Sequence, residues 1–173
     1  QGVVEDVGVG QAGLGLPDRF DPLSADAIEA MMRVNYLGVV YSVEAVLPEM
    51  LARGAGHLAA VSSQGAYKGM PGSAGYCASK AAVSTFMESL RIEQRSRGIS
   101  VTTICPGFVR SEMTAENAFY MPGLLEADDA GRRIVRAIAR RKKVFDFPWQ
   151  TTLLMKLVRR LPDWLIDRCS PRK

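Results

Sequence analysis

The chain has 173 residues, 47% hydrophobic and 23% charged, with a formal net charge of +4. That length and balance fit one globular domain with a buried core and exclude disordered, collagenous and disulfide-dense classes. Three cysteines without CxxC spacing (Cys77, Cys105, Cys169) and a single histidine argue against a disulfide framework or a metal site, and point to a reducing, cytoplasmic setting.

In chain order the predicted elements alternate. The apolar run "GVV" at 2–4 reads as the end of a strand, and "GVGQAGLGLPDRFDPL" at 8–23 reads as a glycine-rich loop. Ser24 stands where it can cap a long amphipathic helix carried by Ile28, Met31, Met32, Val39, Val43 and Met50 and running to about Arg53. "GAG" closes that helix, and "HLAAVSS" at 57–63 is a strand. A glycine- and proline-rich loop leads into "SAGYCASKAAV" at 73–83, which begins a second helix carried by Val83, Met87 and Leu90 up to "SRG". "ISVTTICPG" at 99–107 is a buried strand ending at a Pro-Gly break. A helical segment near 126–141 and a short strand "KVFDF" follow.

The basic run "RRIVRAIARRKK" at 132–143 has no aromatic-interleaved platform, so it reads as a solvated helix face and no nucleic-acid partner is expected. No apolar run reaches the roughly 18 residues of a membrane span, and no signal peptide is read ahead of the domain, whose first residue is Gln1 rather than Met. In the tail, "WQTTLLMKLVRRLPDWLIDR" at 149–168, Leu153, Leu154, Leu157, Val158 and Leu161 share one helical face beside Lys156, Arg159 and Arg160 until Pro162. A basic amphipathic helix with flanking tryptophans suits peripheral contact with a membrane surface. The same stripe would serve as a substrate lid or subunit contact, and because such stripes usually face protein, packing is the expectation.

Strands separated by helices of this length imply βαβ units: an α/β, doubly wound parallel sheet with helices on both faces, residues 1–147 forming the domain and 148–173 a helical extension. Ligands of such sheets bind beyond the carboxyl ends of the strands, so the chemistry is expected just after residue 62 and just after residue 105. Tyr76 and Lys80, four apart, share a helix face. A free phenol titrates near 10, and a neighbouring cation favours the phenolate, which makes tyrosine a usable acid or base. The pair alone reads equally as surface residues. Ser63, thirteen residues ahead of Tyr76, either orients a substrate oxygen or caps the next turn. Asn35, in "VNYLG", interrupts an apolar face and is either a satisfied core amide or a functional one.

The order "VNYLG", "AAVSSQGAYKGMPGSAGYCASKAAV", "ISVTTICPGFVRSEM" resembles the short-chain dehydrogenase/reductase family over about residues 20–115. The resemblance implies a Rossmann-like three-layer fold and reversible hydride transfer between NAD or NADP and an alcohol or ketone. It implies that Tyr76 is the acid/base, that Lys80 lowers its pKa and binds the nicotinamide ribose, and that Ser63 steadies the substrate oxygen. Asn35 then holds a water relaying protons to the lysine, and Pro106, Gly107, Val109 and Ser111 line the nicotinamide, Ser111 in place of the commoner threonine. The region between Met113 and Ala127, with Phe119, Tyr120, Met121, Leu124 and Leu125, corresponds to the part that closes over substrate, and its apolar character points to a small hydrophobic alcohol or ketone. Family members commonly pair through the two long helices, here about 24–53 and 74–97, which implies a homo-oligomer.

Departures from the pattern concern the amino-terminal side. The family's opening strand, TGxxxGxG turn and helix, with the strands that follow them, have no counterpart, and Glu5, Asp6, Val7 and Gly8 stand where Asn-Asn-Ala-Gly is expected. The chain therefore reads as the catalytic half of a dehydrogenase without its adenine-binding half. Three readings stay open: an oxidoreductase whose remaining portion lies outside this sequence, a degenerate member without catalysis, and an assembly module.

Overall fold

Side-chain alternation along two strands sets the architecture. In β2 (Gly56–Val61), Leu58 and Ala60 join one apolar cluster while Ala59 and Val61 join another; in β3 (Ile99–Pro106), Ile99 and Val101 take the first and Ile104 the second. Successive strand residues point to opposite faces, so both faces are apolar and both need cover. One face receives Val39, Val43 and Met50 of a long helix and Val83, Met87 and Leu90 of α3 (Ala74–Gln94). The other receives Ala130 and Ile138 of α5 (Ala127–Ala139) and Phe147 of β4 (Val144–Phe147). The computed structural model describes residues 7–10, 13–16, 20–115 and 120–169. Within them, four strands form one parallel sheet, with β1 (Val7–Gly10) at one edge and the order β1-β2-β3-β4, and with Gly8 opposite Leu58, Ala60 opposite Thr103 and Cys105 opposite Asp146. This is the expected doubly wound α/β architecture.

The first strand differs in position from the sequence reading. β1 is Val7–Gly10, whereas "GVV" at 2–4 lies outside the described residues. The glycines, read as loop signals, instead serve close packing. A Cβ on Gly8 would lie 3.4 Å from both Leu58 Cδ2 and Val46 Cγ2, and one on Gly10 would lie 3.6 Å from Val39 Cγ2. Bare backbone here lets the helix settle on the strand. On the opposite face Val9 is half exposed, and no described strand pairs with the outer edge of β1.

The long helix begins where expected. Ser24 Oγ accepts from Ala27 N at 3.2 Å, α1 runs Ala25–Met32, one wider π turn spans Arg33–Leu37, and α2 continues through Gly38–Arg53. A 3₁₀ turn (Gln64–Tyr67) separates β2 from α3, and α4 (Glu112–Ala115) follows β3. The single histidine is a core residue: His57 Nε2 lies 2.8 Å from Thr102 Oγ1, and burial, then Arg141, lowers its pKa. Arg132, Arg136, Arg140, Arg141, Lys142 and Lys143 are exposed, as a solvated face requires.

After β4 come α6 (Trp149–Val158) and α7 (Asp163–Cys169). Within this chain the leucine stripe does not pack on the core. α6 buries Thr151 and Thr152, and Leu153, Leu154 and Leu157 are turned outward. The two threonines are held by the Pro148 carbonyl, which accepts from Thr151 Oγ1 at 3.2 Å and Thr152 Oγ1 at 2.9 Å, and this fixes which side of the short helix faces the domain.

Two glycines join the helix ends at the amino edge of the sheet. Gly54 closes α2 with φ 65°, and Gly98, with φ 75°, would place a Cβ 1.9 Å from the Gly54 carbonyl oxygen, while a Cβ on Gly54 meets open space. Gly98→Ala is therefore expected to destabilise the fold by about 3 kcal/mol or more, against about 1 kcal/mol for Gly54→Ala, measured by urea denaturation. Equal effects of the two substitutions would refute the clash argument.

Candidate active site

The site is assembled where β2 ends. Ser62 donates its N–H to Ile104 O at 2.7 Å, donates from Oγ to Lys80 O at 2.8 Å, and lies 2.8 Å from Ser84 Oγ. These bonds tie the first turns of α3 to the carboxyl end of the strand. Lys80 reaches back along the same route: its ammonium donates to Val61 O at 3.1 Å and lies 6.0 Å from the Tyr76 ring centroid. Ser63 Oγ accepts from Gly65 N at 3.0 Å, capping the 3₁₀ turn, and its side chain also hydrogen-bonds the Tyr76 phenol. The capping reading of Ser63 describes this contact, and Ser63, Tyr76 and Lys80 converge on one strand end.

Burial dominates their electrostatics. Lys80 is 3% exposed, and desolvation pushes its pKa down to about 8, opposed by the Cys105 charge. The Tyr76 phenol is raised above its ordinary value, because burial and then the neighbouring Cys77 outweigh the Ser63 hydrogen bond. A depressed phenol is the sequence expectation, and the structure has the opposite direction. The lysine is aimed at the Val61 carbonyl, and the burial of the phenol sets the direction of its shift in this structure.

Asn35 sits inward on the π turn, fully buried. Its Oδ1 accepts from Leu14 N at 2.7 Å, and its Nδ2 donates to Leu14 O at 2.9 Å and to Ser79 Oγ at 2.9 Å. Ser79 in turn donates to Tyr76 O at 2.8 Å. The side chain therefore holds the loop after β1 and the Tyr76 turn of α3 together, and the satisfied-amide reading describes it. Val7 and Gly8 are strand residues of β1 rather than part of the loop corner expected of them, and Glu5 and Asp6 lie outside the described residues.

The Pro-Gly segment is braced from the tail. Gly107 N donates to Phe147 O at 2.7 Å, and a Cβ on Gly107 would meet Thr151 Oγ1 at 3.1 Å, Gln64 Oε1 at 3.2 Å and Pro148 Cδ at 3.2 Å. Gln64 Nε2 donates to Thr152 Oγ1 at 2.8 Å and to Phe147 O at 3.1 Å. Pro106 ends β3, and Val109 bridges to Leu125 with Leu125 N donating to Phe108 O at 3.0 Å. Ser111, exposed, opens α4, its N–H donating to Thr114 Oγ1 at 2.9 Å.

Sequence reasoning missed Ser62, Gln64 and Ser79, polar residues that flank the motif residues without a pattern of their own, and a second cluster beside the site. Tyr67 donates to Asp146 Oδ1, and Lys156 Nζ donates to Asp146 Oδ2 at 2.6 Å, linking the 3₁₀ turn, β4 and α6. Burial and then Asp146 raise the Tyr67 phenol, and they push the Cys105 thiol up to about 12. No sequence signal pairs these residues; the only available hint was a lone aspartate inside the apolar "KVFDF".

The arrangement can deliver a proton at Tyr76 beside a hydroxyl at Ser63, with a buried ammonium one helical turn away. A hydroxyl, a phenol and an ammonium at one strand end are the donor types that would hold the ribose of a nicotinamide cofactor.

A model of the short chain dehydrogenase family matches residues 6–119. An uncharacterized oxidoreductase of Myxococcus xanthus is 41% identical over 167 residues, 96% of this chain and 66% of that protein. Epidermal retinol dehydrogenase 2 of Homo sapiens is 32% identical over 160 residues, 89% of this chain and 52% of that protein. A gluconate 5-dehydrogenase of Burkholderia cenocepacia, solved with NADP and tartrate, superposes with a TM-score of 0.62 at 29% identity over 65% of this chain and 46% of that one. A short chain dehydrogenase of the same bacterium, solved with NADP, shares the fold with a TM-score of 0.82 at 22% identity, covering 96% of this chain and 69% of that one. The chain thus spans about half to two thirds of the length of these two curated relatives.

The depressed Lys80 gives a pH signature. In the window between about 8 and the unfolded value near 10.5, the folded state holds fewer protons than the unfolded, so stability rises with pH there; below 8 the full penalty is present. The shift corresponds to about 3 kcal/mol, of which loss of the Val61 hydrogen bond would return about 1. Lys80→Met is expected to raise stability at pH 7 by about 2 kcal/mol, with the advantage shrinking from pH 8 to 10 in thermal melts. A pH-independent difference would contradict the burial argument.

Proposed function

Because the chain belongs to the short-chain dehydrogenase/reductase family, we propose that it is the catalytic portion of an NAD(P)-dependent oxidoreductase interconverting an alcohol and its carbonyl. The observation that carries this reading is the meeting of Ser63, Tyr76 and Lys80 at the carboxyl end of β2. When bound, the nicotinamide supplies or accepts the hydride. Tyr76 gives its proton to the carbonyl oxygen in reduction and takes it back in oxidation. Ser63 hydrogen-bonds that same oxygen, and Lys80 holds the ribose and steadies the charge that develops at the phenol. Pro106, Gly107, Val109 and Ser111 line the nicotinamide, and Asn35 keeps the loop after β1 in register with α3.

The protonated phenol of Tyr76 is the form that donates in reduction, and the phenolate is the form that accepts in oxidation. For substrate, Tyr120, Trp149 and Leu154 are exposed, and Pro122, Leu124, Leu125 and Leu154 line a groove that runs past Thr151. This favours a hydrophobic alcohol or ketone, and the similarity to a protein named for retinol points the same way. Exposed Val34, Tyr41 and Ile92 on the long helices favour pairing of two copies through them, which is compatible with catalysis.

Tyr76→Phe is expected to reduce NAD(P)H-dependent reduction of a long-chain aliphatic ketone by about a thousandfold or more while changing stability by no more than about 1 kcal/mol. Retained turnover in that variant of the complete protein would end the assignment of Tyr76, and absence of turnover with either cofactor in the complete parent protein would favour the non-catalytic assembly reading.

A further inference from the structure

The tail helix α6 is built inside out. Its hydroxyl residues, Thr151 and Thr152, face the domain, while Trp149, Leu153 and Leu157, four residues apart, form an outward ridge at 70%, 63% and 58% exposure. Leu154 flanks the ridge, and exposed Trp164 of α7 follows it. We propose that this ridge seats the chain on an anionic lipid surface and that the groove beside it takes substrate from that surface. The second half rests on the oxidoreductase reading above.

Charge selects the occupant. Lys156, Arg159, Arg160 and Arg168 outnumber Asp163 and Asp167 in the tail, and the whole chain carries +4. Lys156 is turned inward to Asp146 at 2.6 Å, which leaves Arg159 and Arg160 exposed where the ridge ends. A two-fold contact with a second copy pairs this patch with itself and so brings no excess of negative charge to these cations. Anionic headgroups would neutralise them while the leucines enter the acyl boundary. Tryptophan, apolar with one polar N–H, suits that boundary, and here one stands at the start of α6 and one beyond its end.

Position gives the contact a purpose. The first turn of α6 packs on the Pro-Gly segment, with Thr151 and Pro148 against Gly107 and Gly123. Pro122, Leu124, Leu125, Trp149 and Leu154 line a groove at this junction. Seating the ridge in the headgroup region sets the groove mouth at the hydrocarbon edge, where a lipophilic alcohol or ketone is concentrated. No helix among the described residues is long and apolar enough to cross a membrane, and the contact proposed for the ridge is one of surface depth.

The test is co-sedimentation of the full chain with vesicles of phosphatidylcholine alone or with about one third phosphatidylserine. Binding to the anionic vesicles at low salt is expected, weakened at high salt. Leu153→Ser with Leu157→Ser should lower affinity about tenfold or more, and Arg159→Gln with Arg160→Gln should remove the preference for phosphatidylserine. Both pairs alter exposed side chains, and circular dichroism checks that the fold is kept. Absence of sedimentation, or sedimentation unaffected by the leucine changes, overturns the proposal. So does a change from dimer to monomer in the leucine variant without vesicle binding in the parent, which would make the ridge a subunit contact. Vesicles should also lower the apparent KM for a long-chain ketone, and an unchanged KM overturns the delivery role. Vesicle binding by the complete protein without any turnover would refute the oxidoreductase reading and leave the docking surface standing.

Discussion

A buried ammonium is the constraint around which the site is organised. Taking a lysine out of water disfavours its charge, and Lys80 is tolerated at 3% exposure because the strand end offers it a carbonyl, Val61 O, at 3.1 Å. That contact requires α3 to start close above β2, and the Ser62 bond to Lys80 O holds it there. Tyr76, one turn earlier, then falls beside Ser63 without further adjustment, and the Asn35–Ser79 link fixes the same turn from the opposite side. The polar groups that position the site are thus nearly all shared with the packing of strand against helix.

The tail belongs to this arrangement. A sequence boundary at residue 148 separates domain from extension, yet Gln64 reaches Thr152, and Asp146 joins Tyr67 to Lys156 across it. Gly107 is hemmed in by Thr151 and Pro148 from the first turn of α6. The segment assigned to the nicotinamide therefore takes part of its rigidity from residues that carry no motif.

Local periodicity made most of the fold legible. Ser24, Gly54, the apolar positions of α2 and α3 and the Pro-Gly end of β3 each announce a boundary by their own chemistry. The site triad was legible too, since helical spacing and strand length alone bring Ser63, Tyr76 and Lys80 to one edge. What stayed hidden depends on neighbours distant in sequence. Gly8 and Gly10 look like loop residues until the approach of Val39 and Val46 is known. The leucines of α6 look like core residues until the carbonyl of Pro148 claims the threonines. The direction of the Tyr76 shift turns on burial against charge, a balance that spacing does not encode.

The π turn of Arg33–Leu37 acts as a phase correction in the longest helix. Met31 and Val39, eight residues apart, are both buried, yet in an uninterrupted α-helix eight steps leave side chains about 80° out of alignment. One residue taken up in a wider turn makes the interval count as about seven, two full turns, which returns Val39 to the azimuth of Met31. Val43 and Met50, downstream of the correction, inherit the restored angle and meet the sheet, while Asn35, in the wide turn itself, is rotated inward to its partners. A helix of the same sequence without that extra residue would present its second half to the sheet along a different meridian from its first.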